Sequence, residues 1–204
     1  MKLVAGLGNP GRQYAGTRHN VGFDVVERLA TRHAGAFEAA PIDAARQTRW
    51  RRGGTGDDVW LVEPLTFMNL SGEAIGGLAR YYRIDPADLL VICDDVALPL
   101  GRLRVRGEGS DGGHNGLKSV AAHLGTSAYP RLRIGVGRGD ERRDLADHVL
   151  SRFEADERDR MASAVERAAD AVEVWVESGL EPAMRTYNRW DASADADANN
   201  APGA

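Results

Sequence analysis

Five polar side chains that could form a hydrolytic site lie beside glycines or at the ends of apolar segments, in separate stretches of the chain. Glycine lets the backbone approach a ligand closely, and asparagine offers both a carbonyl acceptor and an amide donor. One imidazole and one carboxylate among several amides are typical of acid/base hydrolysis without a metal. The five residues are Asn9, His19, Asn69, Asp94 and Asn115.

His19 is the candidate general base of this set. It lies between Arg18 and Asn20 at a predicted loop-to-helix junction, where side chains often line the sites of α/β proteins. A helix N-terminus disfavours the imidazolium and so keeps the ring able to accept a proton. Asp94 ends an apolar strand and is the natural carboxylate to fix the tautomer of His19. His114 is the alternative base, although its glycine-rich setting favours holding the loop or capping a helix.

The segment GLGNPG formally matches the GxGxxG pattern of dinucleotide-binding loops. In that motif the helix begins at the glycines, so that its N-terminus meets the pyrophosphate. Here Pro10 follows Asn9, helical periodicity starts only near Val21, and no acidic residue closes a second strand at the expected distance. The sequence therefore disfavours a dinucleotide site and predicts that a loop presents Asn9 at a strand end.

Apolar periodicity predicts strands that alternate with helices, and Asn20 and Ser71 are the expected helix N-caps. The alternation predicts an α/β fold, a single-domain mixed, mostly parallel twisted sheet with helices on both faces. Residues 1–190 are expected to form this catalytic domain, and residues 191–204, which lack apolar bulk, a disordered C-terminal tail. The predicted strands are 2–7, a weaker 48–52, 59–63, 89–93 and 131–135, and the predicted helices are 21–33, 71–82, 117–124 and 153–177.

The composition is that of an ordinary globular domain, with 204 residues, 43% apolar and 27% charged. Cys93 is the only cysteine, so an internal disulfide and a cysteine-ligand metal site are both excluded, which favours a cytoplasmic setting. No signal region and no apolar run of about 18 residues is present, so secretion and membrane spanning are not expected.

The net charge of −4 hides an asymmetry along the chain. Residues 102–143 carry nine basic and four acidic side chains, whereas the chain from residue 154 onward carries twelve acidic and five basic ones. Such polarisation suits one phosphate-binding face, although surface arginines are usually only solvated. Arg102, Arg104 and Arg106 alternate with apolar residues, so a strand would place all three guanidinium groups on one face.

Four motifs, in order, resemble those of the bacterial peptidyl-tRNA hydrolases: GLGNPG, YAGTRHNVGFDVVE, PLTFMNLSG and SDGGHNGLKSV. The resemblance extends from Lys2 to about Asn188. It implies a monomeric cytoplasmic enzyme without a cofactor or metal, which cleaves the ester joining a peptide to the 3′ end of tRNA. The implied partner is peptidyl-tRNA, with no role for DNA or a membrane.

The resemblance also implies roles for individual residues. A water deprotonated by His19 would attack the ester carbonyl, while asparagine amides stabilise the oxyanion. Asn9 would accept a hydrogen bond from the first peptide N–H. By matching motifs, the catalytic residues are His19, Asp94 and Asn9, the substrate is held by Tyr14, Phe67, Asn69 and Asn115, and the tRNA 5′-phosphate by Arg106 and Arg133 with Arg104 nearby.

Two departures and one alternative accompany this interpretation. The basic strand positions are often lysine in relatives and are arginine here, and a bidentate guanidinium suits phosphate at least as well. Val96 and Ala97 stand where relatives often carry acidic residues, which weakens any role for a second acidic group. The alternative function is that of a non-catalytic RNA-binding relative of the same fold, acting in splicing or as an adaptor.

Overall fold

A seven-stranded mixed sheet forms the centre of the molecule in the computed structural model, which describes residues 1–42, 44–54, 58–139 and 144–189. The strand order is β2-β3-β4-β1-β5-β7-β6. The four central strands β4, β1, β5 and β7 are mutually parallel, and the outer strands pair in antiparallel fashion. The strands are β1 (Lys2–Gly6), β2 (Glu38–Ala39), β3 (Ala45–Trp50), β4 (Val59–Pro64), β5 (Leu89–Asp95), β6 (Leu103–Arg106) and β7 (Arg131–Gly135).

Helices cover both faces of this sheet, as predicted. Along β1, Leu3 and Ala5 pack against α2 and α3, whereas Val4 packs toward α1 and α5. This alternation follows from the two-residue period of a strand, and burial on both faces explains why the central strands read as continuous apolar runs. The helices are α1 (Val21–His33), α2 (Ser71–Tyr82), α3 (Asn115–Leu124), α4 (Leu145–Leu150), α5 (Arg158–Ser178) and α6 (Leu180–Tyr187).

Helix α1 lies unusually close to the sheet because two glycines meet at the contact. A β-carbon on Gly6 would lie 2.2 Å from the carbonyl oxygen of Gly22, and one on Gly22 would lie 2.6 Å from that of Ile92. Helix α1 begins at Val21, ten residues beyond the GLGNPG loop, so the geometry of a dinucleotide-binding turn is absent. The close contact instead fixes the segment that carries His19, directly before the helix.

Two predicted N-caps were wrong. The Asn20 side chain makes no capping bond; its Oδ1 accepts from the Asn9 N–H and its Nδ2 donates to the Asn9 carbonyl, both at 2.9 Å. Ser71 is the first residue of α2, and its hydroxyl donates to the carbonyl of Met68 at 2.9 Å. Both side chains connect loops near the candidate site rather than satisfying helix amides.

The remaining differences concern the ends of elements and three short elements that were not predicted, β2, α4 and α6. The long C-terminal helix starts five residues later than predicted, and Gly179, at φ 88°, separates α5 from the unpredicted α6. The short helix α4 was also not predicted, and β6 begins at Leu103, so Arg102 precedes the strand. The predicted tail lies outside the described residues, so the boundary at 190 and the disorder beyond it stay predictions. No helix in the described ranges has the length and apolar character of a membrane span.

Candidate active site

A cleft of about 590 Å³ opens at the carboxyl ends of the parallel strands, where loops from several strands meet. We call it the histidine cleft. It brings together His19, Asp94, Asn9, Asn69, Asn115 and Phe67, six of the residues expected in a site from the sequence. Its other lining includes His114, Arg133, the segment 95–96, Gly112 and Gly113, Met68, and an apolar side of α4.

One carboxylate oxygen of Asp94 contacts two imidazole rings. The Nδ1 of His19 lies 2.8 Å from Asp94 Oδ1, and the Nε2 of His114 lies 2.9 Å from the same oxygen. The centroids of the two rings are 5.2 Å apart. The predicted pairing of His19 with Asp94 is therefore present, and His114 adds a contact to the same carboxylate that the sequence did not indicate.

The tautomers of both rings follow from their partners. His114 Nδ1 accepts from the N–H groups of Gly116 and Leu117, at 3.1 and 3.3 Å, and so caps α3 as predicted. A nitrogen that accepts carries no proton, so the proton of His114 sits on Nε2 and is donated to Asp94. His19 likewise donates from Nδ1 to the carboxylate, which leaves its Nε2 lone pair available to accept a proton.

Asp94 is held in its ionised form by these rings. Burial by itself would raise the pKa of the carboxyl group, but the electrostatic attraction and hydrogen bond of the His114 N–H, and then those of His19, outweigh burial and hold its pKa well below the ordinary range. The side chain is only 3% exposed, against 14% for His19. A buried, ionised carboxylate can orient an imidazole and stabilise a positive charge that forms on it.

The same three side chains are the one cluster, in the part of the chain that the structure describes, whose donor atoms lie close enough together for a metal ion. These atoms lie within 4.8 Å of one another. Both nitrogens that face the carboxylate carry protons, however, and the opposite nitrogen of His114 is engaged by backbone amides. The donor set is therefore arranged for hydrogen bonding, and the sequence expectation that no metal is needed stays a prediction.

Of the three asparagine side chains in the cleft, that of Asn9 is held by an internal hydrogen bond, and those of Asn69 and Asn115 are exposed. Asn9 Oδ1 accepts from the Met68 N–H at 2.8 Å, so the side-chain group that has no partner among the described residues is Nδ2. Nδ2 is therefore available to donate to a ligand, and the expected acceptor role of Asn9 toward a peptide N–H stays a prediction. Asn69 and Asn115 line the cleft with exposed side chains, for which the described part of the chain supplies no hydrogen bond.

Apolar side chains form the outer part of the histidine cleft. Phe67 is 55% exposed, and Leu145 and Leu150 of α4 are 49% and 41% exposed. Tyr14 does not line the cleft itself but packs edge-on against Phe67, with ring centroids 6.4 Å apart. An apolar surface next to free amides suits a ligand that carries both hydrocarbon and peptide groups.

Arg18, directly before His19, is a buried anchor that sequence reasoning did not single out. Its guanidinium donates to both carboxylate oxygens of Glu157, at 3.1 and 2.6 Å, and to the carbonyl of Val136 at 3.2 Å. Its backbone N–H donates to the carbonyl of Ser151 at 3.0 Å. These partners lie more than 110 residues away, so no local pattern could have revealed them. They fix the backbone that presents His19.

A second cleft, of about 580 Å³, lies next to the first, and we call it the arginine cleft. Arg104 and Arg106 of β6 line it, and neither has an ion pair or side-chain hydrogen bond within the described ranges. Arg102, expected on the same face, does not line it. The remaining lining is Asp95, Arg131, Arg133, Met184, residues 107–110 and Gly112.

Arg133 lines both clefts and also makes contacts within the protein that the sequence did not indicate; its phosphate contact stays a prediction. Its Nη1 donates to Asp95 Oδ2 at 3.1 Å, and its Nη2 donates to the carbonyls of Ser110 and Asp111 at 2.8 and 3.0 Å. Its side chain is only 12% exposed. The other carboxylate oxygen of Asp95 accepts from the Ala97 N–H.

Comparison with known proteins places the chain in a family. The family model described as peptidyl-tRNA hydrolase matches residues 3–196. The chain is 47% identical to a peptidyl-tRNA hydrolase of Symbiobacterium thermophilum, over 92% of this chain and 98% of that one. It is 49% identical to one of Chloroflexus aggregans, over 92% and 99% of the two chains.

A solved structure agrees with the sequence comparison. The crystal structure of peptidyl-tRNA hydrolase from Acinetobacter baumannii superposes with a TM-score of 0.86 and 33% identity, covering 94% of this chain and 96% of that one. The resemblance read from four short motifs therefore holds over almost the whole sequence and over the fold. The chain belongs to the peptidyl-tRNA hydrolase family.

Proposed function

We propose that His19 acts as the general base in hydrolysis of the ester between a peptide and the 3′ end of tRNA, the reaction named for this family. Turnover of such esters would recycle tRNA from peptidyl-tRNA released prematurely by ribosomes. The observation that carries the proposal is the contact between His19 Nδ1 and buried, ionised Asp94, which leaves His19 Nε2 free toward the cleft.

The chemistry needs no covalent intermediate. An ester is activated enough for direct attack by water, and His19 Nε2 would remove the proton of that water as it attacks the carbonyl carbon. The positive charge that forms on the ring would be stabilised by Asp94. The same proton would then be delivered to the departing ribose oxygen, so that the base returns to its starting state.

Asn9 would stabilise the negative charge that develops on the carbonyl oxygen. Its Oδ1 is held by the Met68 N–H, and this bond fixes the orientation of the amide, so Nδ2 would be presented to the cleft. A donor held in advance stabilises an oxyanion without reorganising during the reaction. Asn69 and Asn115 would bind the peptide and the terminal nucleotide, and the wall of Phe67 and α4 would contact apolar peptide side chains.

The arginine cleft would hold the tRNA 5′-phosphate through Arg106 and Arg133, with Arg104 nearby. Arg104 and Arg106 lack internal partners within the described residues, so their charge is available to an external anion. Recognition of backbone rather than of bases would suit an enzyme that accepts many tRNAs.

Turnover of an N-acetylaminoacyl-tRNA tests the proposal directly. Release of the N-acetylamino acid by the wild-type chain, and its loss in His19→Ala, is the expected result. Tight binding of the tRNA without any hydrolysis would instead identify a non-catalytic RNA-binding relative, for which the arginine cleft alone would suffice.

We further propose that the enzyme works as a monomer in the cytoplasm and without a cofactor, with tRNA rather than DNA or a membrane as its partner. The single buried cysteine supports a reducing compartment. Light scattering at micromolar concentration would report the oligomeric state, and a dimer mass would contradict this part of the proposal.

A further inference from the structure

Several segments around the histidine cleft meet at one buried side chain, that of Arg18. This residue directly precedes His19, is only 4% exposed and lines neither cleft, so a substrate bound in the clefts does not reach it. A buried guanidinium is stable only when acceptors satisfy its donors, above all a carboxylate. The positions of those acceptors therefore show which parts of the site Arg18 holds together.

The carboxylate of Glu157, the residue directly before α5, neutralises the charge of Arg18. The guanidinium donates to both of its oxygens, and the backbone N–H of Glu154 donates to one of them as well. Burial alone would raise the pKa of Glu157, but the hydrogen bonds from Arg18 and Glu154 outweigh burial and lower it, so the carboxylate is ionised. The guanidinium carbon also lies 4.8 Å from the centroid of the Phe153 ring.

The end of α4 is bound by both the backbone and the side chain of Arg18. The N–H of Arg18 donates to the carbonyl of Ser151 at 3.0 Å, and its Nε donates to the Ser151 hydroxyl at 3.4 Å. That hydroxyl donates in turn to the carbonyl of His148, in the last turn of α4, at 2.7 Å. The helix whose apolar side lines the histidine cleft is therefore joined to the segment that carries His19.

A further contact of Arg18 reaches the strand that carries Asp94. Arg18 Nη1 donates to the carbonyl of Val136 at 3.2 Å, and the N–H of Val136 donates to the carbonyl of Asp95, also at 3.2 Å. Asp95 follows Asp94 directly in β5. One guanidinium thus connects the residue before His19 to the backbone beside the carboxylate that His19 contacts at 2.8 Å.

We propose that Arg18 is a positioning residue, which holds His19, the backbone beside Asp94 and the apolar side of α4 in one fixed arrangement. This inference rests on the proposed function, because it concerns the geometry of residues that would carry out that hydrolysis. The groups that transfer the proton and the surface that would contact the peptide share one support, so its loss displaces both. An anchor needed for stability alone would leave kcat unchanged when it is removed from a chain that still folds.

Two substrates and three variants test this role. Arg18→Met is expected to lower kcat by roughly 10- to 100-fold both on N-acetylaminoacyl-tRNA and on a minimal N-acetylaminoacyl ester of adenosine, since small displacements of catalytic groups cost this much. KM for the tRNA substrate should stay within about twofold, because Arg18 lines neither cleft. Arg18→Lys keeps the charge but not the planar fork, so kcat should stay low on both substrates.

Glu157→Gln is the third and mildest variant. It keeps the size of the side chain and one oxygen that can accept from Arg18, so it should fold and lower kcat in the same direction by a smaller factor. If Arg18→Met does not fold, Glu157→Gln decides the test, and a wild-type kcat in this variant would overturn the positioning role.

Arg32→Met is the matched control. Arg32 is likewise a guanidinium held by carboxylates of α5, three in number, and it lines neither cleft. Its removal should lower Tm, as removal of Arg18 does, but leave kcat within about twofold on both substrates.

The Nδ1 proton that His19 donates to Asp94 gives a readout that does not require activity. NMR spectra of protein with isotope-labelled histidine would show its signal, identified by its absence in His19→Ala. The signal should weaken in Arg18→Met, because a looser contact lets the proton exchange faster with water, and it should persist in Arg32→Met.

The outcomes separate this inference from the proposed function. A wild-type chain that hydrolyses neither substrate would contradict the proposed function, and the Nδ1 signal of His19 would then decide the positioning role alone. The positioning role would be overturned by a folded Arg18→Met with the wild-type kcat on the minimal ester. Equal losses of kcat in Arg18→Met and Arg32→Met would overturn it as well, since they would reflect lowered stability alone.

Discussion

The two clefts differ in how many internal contacts hold their charged side chains. In the histidine cleft, Asp94 is buried and bonded to two rings, and its neighbouring groups are fixed by backbone contacts. In the arginine cleft, Arg104 and Arg106 have no ion pair or side-chain hydrogen bond inside the described ranges. Proton transfer requires groups at fixed positions, whereas capture of a polyanion requires available charge.

This difference predicts that changes in the histidine cleft alter kcat and that changes in the arginine cleft alter affinity. The effects on kcat and on affinity are separated most clearly when a substitution in one cleft leaves the backbone contacts of the other cleft intact. The changes below are ordered from the largest expected effect on turnover to the smallest.

His19→Ala should produce the largest loss. Removal of a positioned general base lowers kcat by roughly 10² to 10⁴, and tRNA affinity should remain near that of the wild type because His19 lies outside the arginine cleft. Steady-state kinetics with N-acetylaminoacyl-tRNA at neutral pH check this expectation. A variant that keeps more than about a third of the wild-type kcat would remove His19 from the role of base.

Asp94→Asn should lower kcat by less, about 10- to 100-fold, which corresponds to the contribution of hydrogen bonds to a charged acceptor. Both imidazoles contact the same oxygen, Oδ1, so an asparagine oxygen at that position can still accept from both rings. The lost negative charge no longer favours the imidazolium, so the ascending limb of the pH–rate profile should move to lower pH.

The pH dependence of kcat/KM over about pH 5 to 9 is the measurement that checks the Asp94 prediction, with the wild type as control. In Asp94→Asn, the ascending limb of this profile should move to lower pH, and the maximum of kcat/KM should fall. An unchanged midpoint would argue against electrostatic pairing of His19 with Asp94.

Arg106→Ala should raise KM for the tRNA substrate more than it lowers kcat, because a phosphate contact is made equally before and during the reaction. Loss of one contact should also reduce the slope of log affinity against log salt by about 0.7 to 0.9. Filter binding of tRNA across a salt series measures that slope. An identical slope in variant and wild type would show that Arg106 does not contact RNA phosphate.

Glu63 lies outside both clefts, so Glu63→Gln should change the stability of the protein rather than its turnover. Burial, opposed by Arg46 and reinforced by Glu27 and Asp24, raises the pKa of Glu63 from 4.5 to about 7. The native state then binds this proton more tightly than the unfolded chain, so its stability falls as pH rises from about 4.5 to about 7, by about 3 kcal/mol for this group.

Urea unfolding at pH 5 and pH 8 measures this effect. The free energy of unfolding should decrease between these pH values by less in Glu63→Gln than in the wild type, while kcat is unchanged. Equal decreases in both proteins would mean that Glu63 is not protonated near neutral pH. Asp24, whose pKa is raised to about 6 mainly by burial, retains its own contribution in the variant.

Local patterns predicted most of the sheet and several of the residues that line the histidine cleft. The apolar runs of the parallel strands locate their carboxyl ends, and parallel strands deliver those ends to one edge, so Asn9, Asn69 and Asp94 were correctly expected together. Strand β7 has the predicted bounds, because Leu132 and Ile134 alternate with two arginines in a run that begins after Pro130 and ends at Gly135.

Contacts between distant residues could not be predicted in this way. Asn20 follows the local rule for an N-cap, but its side chain instead bonds the backbone of Asn9. His114 satisfies the capping rule and also reaches Asp94, 20 residues away. Arg133 was assigned to the tRNA phosphate by resemblance alone, and its contacts with Asp95 and the carbonyls of a loop had no signal in the sequence.

The most direct test of the separation between chemistry and capture measures His19→Ala and Arg106→Ala on two substrates. These are N-acetylaminoacyl-tRNA and an N-acetylaminoacyl ester of adenosine, which lacks the tRNA body. His19→Ala should lose a similar factor of kcat/KM on both substrates, whereas Arg106→Ala should lose kcat/KM on the tRNA substrate alone. Equal losses on both substrates for Arg106→Ala, or a minimal ester still hydrolysed normally by His19→Ala, would contradict the account.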